Sequence, residues 1–370
     1  MVYRLLSVLI VITGLYGSGL LAIRSGQTDL SGRGLQTTQS SIKLGVYYFD
    51  GWTGQTREHL TPALRDSFPE REPVWGWMTS TPRAMQAQID SAAGAGIAFF
   101  NFCWYYPEKR PSGFRTSPLN QALGLYLAAP NRKRLDFSLM VANHGGFRIG
   151  PDEWETASQE WIRLFKNSSY VTVDRKPLLS FFSVQSLVDQ FGSPEAVQQA
   201  FARLRKTARR QGLKGVTLAA CLDPDPKAIS LARRCGFDVL TGYNYHYVGF
   251  QPGKTKTTID SLASKSRRYW NRFQNAGLPY IPVVTLNWDH RPWDKPGVIS
   301  QRYEGFSAQS VFRSVRDVQE WLWQYPQETT AERIAMVYAW NEYGEGAWLT
   351  PSRHDKLHLL NGVRRALQKP

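Results

Sequence analysis

Two glutamates three residues apart, Glu342 and Glu345, have the residue type and the spacing for paired acid–base chemistry. They lie in the sequence WNEYGEG, which follows an apolar run over 334–340 that is typical of a strand buried on both faces of a parallel sheet. Burial and mutual repulsion can set the pKa values of two carboxyls apart, so that one acts as an acid and the other as a base. The alternative is a surface loop with two solvated glutamates. It is disfavoured because large aromatic residues flank the pair: Trp340, Tyr343 and Trp348.

A strand that ends in such a loop needs neighbouring strands, and the pattern from residue 43 onward predicts eight strands that alternate with helices. Strands are predicted at 43–49, 97–103, 136–142, 177–183, 216–222, 238–243, 280–286 and 334–340, with a small hairpin over 170–177. Helices are predicted at 82–94, 118–129, 154–165, 194–210, 226–235, 260–276, 310–325 and 356–368. This alternation predicts an α/β fold, a single-domain (β/α)8 TIM barrel over residues 42–370. A doubly wound open sheet is the alternative, but no glycine-rich dinucleotide fingerprint follows the first strand.

Polar and aromatic residues follow the predicted strands, whereas the turns from helix to strand carry mostly Gly, Lys, Arg and Pro. Active sites in such barrels lie where the strands end. The chain has 13 tryptophans and 17 tyrosines, an excess that fits sugar stacking, although core packing would explain it equally well. The residues that we predict to bind substrate are Tyr47, Asp50, Trp52, Trp104, Tyr105, Asn143, His144, Tyr245, His246, Trp288, Asp289, Asn341, Tyr343 and Trp348.

Some of these residues also have a structural interpretation. Asn143 and His144 either bind sugar hydroxyls or form a tight turn, and Asp289 either faces the substrate or fixes a loop through an ion pair. His144, His246 and His290 come from three strand ends, but none has the spacing that is typical of metal ligands. We therefore predict no metal and no cofactor.

Three stretches of the sequence resemble glycoside hydrolase family 99 and its relatives, which include a group associated with lipopolysaccharide biosynthesis. They are the WNExxEG pattern, LGVYYFDGW at 44–52 and LNWDHRPW at 286–293, and the resemblance extends over about 43–352. It implies a (β/α)8 barrel and a retaining, endo-acting glycoside hydrolase for an oligo- or polysaccharide with α-linkages, of which α-mannosides are one candidate.

The resemblance also implies a role for each glutamate. In related enzymes one glutamate takes a proton from the sugar 2-hydroxyl, which attacks the anomeric carbon to give an epoxide-like intermediate, while the other serves as acid and then as base. By position in the motif, Glu342 would assist the 2-hydroxyl and Glu345 would be the acid and base. One departure is that Tyr343 and Gly344 stand where the family often has larger residues.

Two other functions fit the same residues. One is a transferase-like protein that makes or processes cell-envelope polysaccharide, although no phosphate-cradling glycine loop or suitable Asp-x-Asp pair is present. The other is a non-catalytic glycan-binding protein, which the presence of both glutamates disfavours.

The amino-terminal residues predict export. Arg4 precedes an apolar run from Leu5 to Ile23, so residues 1–24 read as a signal peptide or signal anchor, and residues 25–41 read as a flexible linker. We therefore expect a periplasmic, extracellular or membrane-anchored protein.

The formal net charge of +15 raises the question of an anionic partner. The densest cationic cluster lies on a predicted helix, where it favours a solvated outer face over a nucleic-acid site: Arg203, Arg205, Lys206, Arg209, Arg210 and Lys214. No recognisable nucleic-acid motif accompanies it. Cys103, Cys221 and Cys235 have no metal or redox spacing and predict free thiols.

Overall fold

The computed structural model describes residues 42–368, apart from residues 57, 110, 296 and 299. The predicted targeting segment at 1–24 and the predicted linker at 25–41 lie outside the described residues. Among the helices of the described part, none has the length and apolar character that a membrane crossing requires.

Thirteen strands occur in the described part, and eight of them form the wall of a barrel. In chain order they are β1 (Lys43–Tyr48), β2 (Phe99–Trp104), β3 (Asp136–Val141), β4 (Thr172–Val173), β5 (Lys176–Phe181), β6 (Thr217–Cys221), β7 (Val239–Thr241), β8 (Lys256–Thr258), β9 (Val283–Thr285), β10 (Arg302–Glu304), β11 (Ile334–Tyr338), β12 (Asn341–Glu342) and β13 (Ala347–Trp348).

The barrel strands are parallel and follow the order β7-β6-β5-β3-β2-β1-β11-β9. Two backbone hydrogen bonds bring the ends of this sheet together, from Leu240 N to Pro279 O at 2.9 Å and from Ile281 N to Leu240 O at 2.8 Å. The predicted (β/α)8 barrel is therefore confirmed. The predicted hairpin before the fourth barrel strand is also present, because β4 pairs antiparallel with β5.

Ten α-helices surround the strands in the described part: α1 (Pro62–Ser67), α2 (Pro82–Gly94), α3 (Gln121–Ala128), α4 (Pro151–Phe165), α5 (Val184–Phe191), α6 (Pro194–Arg210), α7 (Pro226–Cys235), α8 (Ile259–Asn271), α9 (Ala308–Gln324) and α10 (His358–Leu367). Helices α2, α6 and α7 each begin with proline after a capping residue whose side chain accepts a backbone N–H, namely Thr81, Ser193 and Asp225. Helices α1 and α5 were not predicted.

The basic cluster of α6 divides into two kinds of side chain. Arg203, Lys206, Arg209 and Arg210 are exposed, as expected for a solvated face. Arg205 is partly buried instead, because its guanidinium forms an ion pair with Asp238 at 2.7 Å and donates to the Gly236 carbonyl at 2.8 Å. The three cysteines are buried free thiols, in agreement with the sequence.

Candidate functional site

Strand β11 leads directly to the two glutamates at the carboxyl end of the barrel. The chain then forms a hairpin in which β12 pairs antiparallel with β13, and Glu342 is the last residue of β12. Glu345 lies in the turn of this hairpin, which Gly346 closes with a φ of 76°. A short hairpin at a strand end therefore presents both carboxyls on the same side of the fold.

Buried polar side chains hold the backbone of this turn in place. Arg71 donates to the carbonyl of Tyr343 at 2.8 Å and to the carboxylate of Asp289 at 2.6 Å. The backbone N–H of Asp289 donates to the carbonyl of Glu345 at 2.8 Å. Because Asp289 also pairs with Arg291 at 2.7 Å, its pKa lies below the usual range although burial alone would raise it. The ion-pair interpretation of Asp289 is the one that its contacts support.

Both glutamates line a cavity of about 340 Å³. Its other polar side chains are Glu58, His59, Tyr105, His144 and Tyr243. The remainder of the wall is apolar and largely aromatic: Phe49, Leu119, Met140, Ala142, Phe147, Phe182 and Trp293. A mostly apolar concave site with a few convergent polar groups is typical of a small-molecule or sugar site.

The two carboxyls have different surroundings within this cavity. Burial raises the pKa of Glu342 to about 7, and the rise is limited because the hydroxyl of Tyr243 donates to its Oε1 at 2.5 Å. Burial raises the pKa of Glu345 to about 8; its Oε2 is buried without a hydrogen-bond partner among the described residues. Burial therefore raises the pKa of both carboxyls, and only the carboxyl of Glu342 has a described hydrogen bond that favours its ionised form.

Two histidines of the cavity are held neutral. Burial lowers the pKa of His59 and of His144 below the usual value. His59 packs edge-on against Phe49, with ring centroids 5.0 Å apart, and His144 packs likewise against Phe182 at 5.6 Å. Neutral imidazoles can both donate and accept, so these side chains can bind sugar hydroxyls.

Of the fourteen predicted binding residues, Tyr105 and His144 line the cavity. Four others are buried with their polar groups bonded inside the protein. Tyr47 donates to Gly242 O, Trp52 to Asn341 O, Asn341 to Phe49 O and Asn143 to Ser183 O. Because Asn341 and Trp52 attach β12 to the segment after β1, they position Glu342 through the backbone.

Four more predicted residues are packed into the core. Trp104 lies against Trp161 with centroids 5.6 Å apart, and the hydroxyl of Tyr245 donates to Leu222 O at 3.1 Å. Tyr343 is fully buried against Trp52, and Trp348 is 5% exposed. These four side chains belong to the hydrophobic core, and none of them lines the cavity.

Trp288 and His246 do not line the cavity but are connected to its wall through a series of ring contacts. The rings of Trp288 and His246 stack with centroids 3.7 Å apart, and the ring of His290 is stacked on Trp288 with centroids 5.7 Å apart. The ring of His290 in turn contacts Trp293, which lines the cavity. His144 lies on another part of the wall. Throughout the part of the chain that the structure describes, no group of three or more His, Cys, Asp or Glu side chains is placed to hold a metal ion.

Asp50 has a structural position rather than a place in the cavity. Its carboxylate accepts hydrogen bonds from the Ser80 hydroxyl and from the Ala122 N–H at the start of α3, and the side chain is 2% exposed. Burial raises its pKa to about 6 despite these bonds. The carboxylate therefore joins the segment after β1 to α3.

We expect Asp50→Ala to lower the free energy of unfolding by about 1–3 kcal/mol, because two buried donors lose their acceptor. Urea denaturation measures this loss. Asp66→Ala, which removes an exposed carboxylate, is the control and should change stability by less than about 0.5 kcal/mol. Wild-type stability combined with weaker glycan binding would instead assign Asp50 to the substrate site.

Several cavity residues carried no prediction: Phe49, Glu58, His59, Leu119, Met140, Ala142, Phe147, Phe182, Tyr243 and Trp293. Tyr243 is the most informative, because the sequence pointed to its neighbour Tyr245 instead. β7 ends at Thr241, and Tyr243 reaches the cavity whereas Tyr245 turns into the core. Trp293 closes the LNWDHRPW stretch, which was the available signal for it.

A family model described as "Glycosyltransferase WbsX" matches residues 75–363, most of the barrel and both glutamates. The chain belongs to the WbsX family. Two curated relatives of this WbsX family member, each called "Uncharacterized protein WxcX", come from Xanthomonas campestris pv. campestris. One is 27% and the other, from strain B100, 25% identical over 328 residues, which is 78% of this chain and 42% of each relative. The chain thus spans less than half the length of these relatives.

Solved structures of glycoside hydrolases have the same barrel. The family 99 endo-α-mannosidase from Bacteroides thetaiotaomicron superposes with a TM-score of 0.61 at 12% identity, over 88% of this chain and 98% of that one. A glycoside hydrolase-like protein gives a TM-score of 0.64 at 13% identity, over 90% of this chain and 95% of that one. At these identities the likeness shows the fold alone, and it confirms the family 99-like barrel.

Proposed function

We propose that this chain is a retaining glycoside hydrolase that cleaves an α-linked glycan with Glu342 and Glu345. One observation carries the proposal. Both carboxyls line a single cavity at the carboxyl end of the barrel, and burial raises the pKa of each while only Glu342 receives a hydrogen bond from Tyr243. Two carboxyls in one buried cavity, only one of which accepts a hydrogen bond from a phenol, can supply the acid and the base that glycoside cleavage requires.

The difference between the two carboxyls supports a role for each. Burial raises the pKa of Glu345 to about 8 and no described hydrogen bond offsets the rise, so we assign it the proton that passes to the glycosidic oxygen as that bond breaks. Glu342 takes the proton of the sugar 2-hydroxyl, whose oxygen attacks the anomeric carbon to form an epoxide-like intermediate. Glu345, now ionised, then takes a proton from the water that opens this intermediate at the anomeric carbon, while Glu342 returns its proton to the 2-oxygen. The two glutamates end the cycle as they began it.

α-Mannosides are the first substrates to test, because an endo-α-mannosidase has the same barrel. The same experiment determines the chain length and the linkage of the glycan that is cleaved. Purified protein is incubated with defined α-linked glycans, and the products are identified by mass spectrometry. We expect internal cleavage of at least one α-linked glycan. Intact glycans throughout a panel that includes α-mannosides would overturn the proposal.

Activity should depend on pH in a way that ordinary carboxyls would not produce. Glu342 must be ionised, so kcat/KM should rise as the pH passes about 7, and Glu345 must be protonated, so kcat/KM should fall as the pH passes about 8. The expected optimum lies between these values. An optimum near pH 4 to 5, close to the unperturbed pKa of about 4.3 for glutamate, would contradict these roles.

The variant Tyr243→Phe tests whether the hydrogen bond from Tyr243 limits the rise in the pKa of Glu342. Removing the phenol that stabilises ionised Glu342 should raise the pKa of Glu342, so the acidic limb of the profile should move to higher pH while the basic limb stays in place. If the basic limb of the profile moved instead, Glu342 would be the acid and Glu345 the base.

A transferase is the second candidate, because the matching family model is described as a glycosyltransferase. Both reactions would use the same carboxyls, and they differ in what receives the sugar. Cleavage in water enriched in ¹⁸O distinguishes them: hydrolysis places ¹⁸O at the new reducing end, whereas transfer to a second glycan places none. We expect incorporation of ¹⁸O.

A further inference from the structure

The amino end of the barrel, opposite the two glutamates, carries a group of cationic side chains. They come from three segments: the end of α4, the β4–β5 hairpin, and the end of α6 with the turn that follows it. We call this group the basic surface, and its members are Lys166, Arg175, Lys176, Arg209, Arg210 and Lys214. Five of the six side chains are exposed and Lys176 is partly exposed, so the basic surface is open to a partner.

Contacts between the three segments show that these cations form one surface. A Cβ at Gly215 would lie 3.6 Å from Nη1 of Arg209 and 3.8 Å from Cδ of Lys176, so the end of α6 lies beside the hairpin. Nζ of Lys166 donates to Oε1 of Gln211 at 2.7 Å, and this hydrogen bond joins the end of α4 to the end of α6. The three segments therefore present their cations side by side.

Two carboxylates at the hairpin offset part of this charge. Asp174 pairs with Lys176 at 2.7 Å, and Glu332 accepts the backbone N–H of Asp174 at 2.7 Å. The pKa of Asp174 lies below its usual range, because Lys176 donates to it and because the charges of Lys176, Arg175 and Lys214 favour the ionised form. The six cations outnumber these two carboxylates, so the surface is positively charged.

The helix dipole explains only part of this distribution. Cations at the carboxyl end of a helix interact favourably with its dipole, which accounts for Arg209 and Arg210 in the last turn of α6. Arg175 and Lys176 belong to a hairpin, and Lys214 lies in the turn between α6 and β6. These three cations complement no helix end, and their convergence indicates an anionic partner.

The basic surface and the cavity lie at opposite ends of the barrel. The hairpin turn precedes β5 and Lys214 precedes β6, whereas Glu342 and Glu345 follow β11. Strands of this length separate the two ends by about 15–20 Å, at about 3.3 Å per residue. An anion on the basic surface is therefore distinct from a substrate whose reacting bond lies at the glutamates.

The order of the chain favours a membrane as the anionic partner. β1 begins at Lys43, directly after the predicted signal peptide or anchor at 1–24 and the predicted linker at 25–41. An anchor that is retained is therefore joined to the barrel at the end that carries the basic surface. Clustered Lys and Arg side chains beside a membrane are attracted to its anionic headgroups.

We propose that the basic surface docks the barrel onto anionic phospholipid headgroups, with the cavity facing away from the bilayer. The charge of the surface supplies the attraction, and its position at the amino end leaves the carboxyl end open to a glycan. This inference goes beyond the proposed hydrolase and does not depend on it.

Acylation of lysines on vesicles tests this docking with the full-length chain. Protein is mixed with vesicles of phosphatidylcholine, with or without phosphatidylglycerol, and treated briefly with an amine-reactive ester. Mass spectrometry then gives the rate at each lysine. We expect Lys166, Lys176 and Lys214 to react at least about threefold more slowly on the anionic vesicles, and to recover in about 0.5 M salt. Lys109 and Lys227, exposed at the carboxyl end of the barrel, should react equally on both.

A double variant tests whether the charge of the basic surface causes this protection. Arg175→Glu combined with Arg210→Glu should abolish the protection, because two charges are reversed while the three lysines remain as reporters. Arg83→Glu combined with Lys254→Glu is the matched control. It reverses two exposed cations at the carboxyl end of the barrel and should keep the protection.

Three results would overturn the inference. The first is equal reactivity of Lys166, Lys176 and Lys214 on the two kinds of vesicle. The second is protection of Lys109 and Lys227 to the same extent, since the barrel would then bind without a preferred end. The third is protection by a soluble anionic polysaccharide without protection by vesicles, which would assign the basic surface to a glycan.

Discussion

Glu345→Gln is expected to lower the turnover of natural α-linked glycans by about 10²–10⁴-fold, the usual contribution of general acid–base catalysis. The amide cannot give a proton to the leaving oxygen, and Glu342, the other cavity carboxyl whose pKa burial raises, is assigned to the 2-hydroxyl. Substrates whose leaving group needs no proton should partly escape. We therefore expect α-glycosyl fluorides to retain much more of their turnover than natural glycans do.

Glu342→Gln should lower turnover by a similar factor, and α-glycosyl fluorides should lose as much turnover as natural glycans do. Its proposed role is to take the proton of the 2-hydroxyl, and a better leaving group does not replace this role. The same reasoning predicts that a substrate without the 2-hydroxyl is not cleaved by the wild-type protein. Efficient cleavage of a 2-deoxy substrate would leave both glutamates in the site but would contradict the epoxide-like route.

Controls for both variants separate catalysis from folding and from binding. Glu155→Gln, at an exposed position of α4, makes the same chemical change outside the cavity and should leave turnover unchanged. Both cavity variants should still bind intact glycan, because most of the wall is apolar and aromatic. Loss of binding in step with loss of turnover would assign the glutamates to recognition instead.

Gly344→Ala is expected to lower kcat/KM by at least about 10²-fold although the change adds one methyl group. A Cβ at this position would overlap the ring of Trp293. That ring is fixed in turn, since its Nε1 donates to the carbonyl of His59 at 2.9 Å. The turn must therefore shift, and Glu342 and Glu345 lie within two residues of the overlap. Steady-state kinetics on the best glycan measures the effect.

Gly124→Ala is the matched control. It makes the same substitution inside α3, where no side chain and no backbone beyond the local helix lies within 4 Å of the new methyl group. Alanine also favours a helix by about 1 kcal/mol over glycine. Turnover of Gly124→Ala should equal that of wild type. If Gly344→Ala also kept wild-type turnover, close packing of the turn against Trp293 would have no part in placing the carboxyls.

The barrel could be predicted because its signals are local. Apolar runs of strand length alternate with helical periods, and capping residues followed by proline mark the start of helices such as α6 and α7. All eight predicted barrel strands are present, with ends that differ by a few residues. Helices α1 and α5 were missed because they have only six and eight residues, which is too short for a helical pattern to stand out in the sequence.

The cavity was harder to predict because it depends on which way a side chain turns after a strand has ended. A shift of two residues separates Tyr243, which bonds to Glu342, from Tyr245, which is buried in the core. His59 reaches the cavity from the long loop after β1 and has no signal in the sequence. Arg71 contacts Tyr343 and Asp289 from more than 200 positions away in the chain, a pairing that periodicity cannot reveal.

The most direct test of the central claim is product formation by the double variant Glu342→Gln, Glu345→Gln. Wild-type and double-variant proteins with matching circular dichroism spectra are incubated with the best α-linked glycan, and the products are counted by mass spectrometry. We expect the double variant to bind this glycan and to release no product above the rate without protein. Release of product at the wild-type rate would show that the reaction occurs without these two carboxyls and would contradict the account.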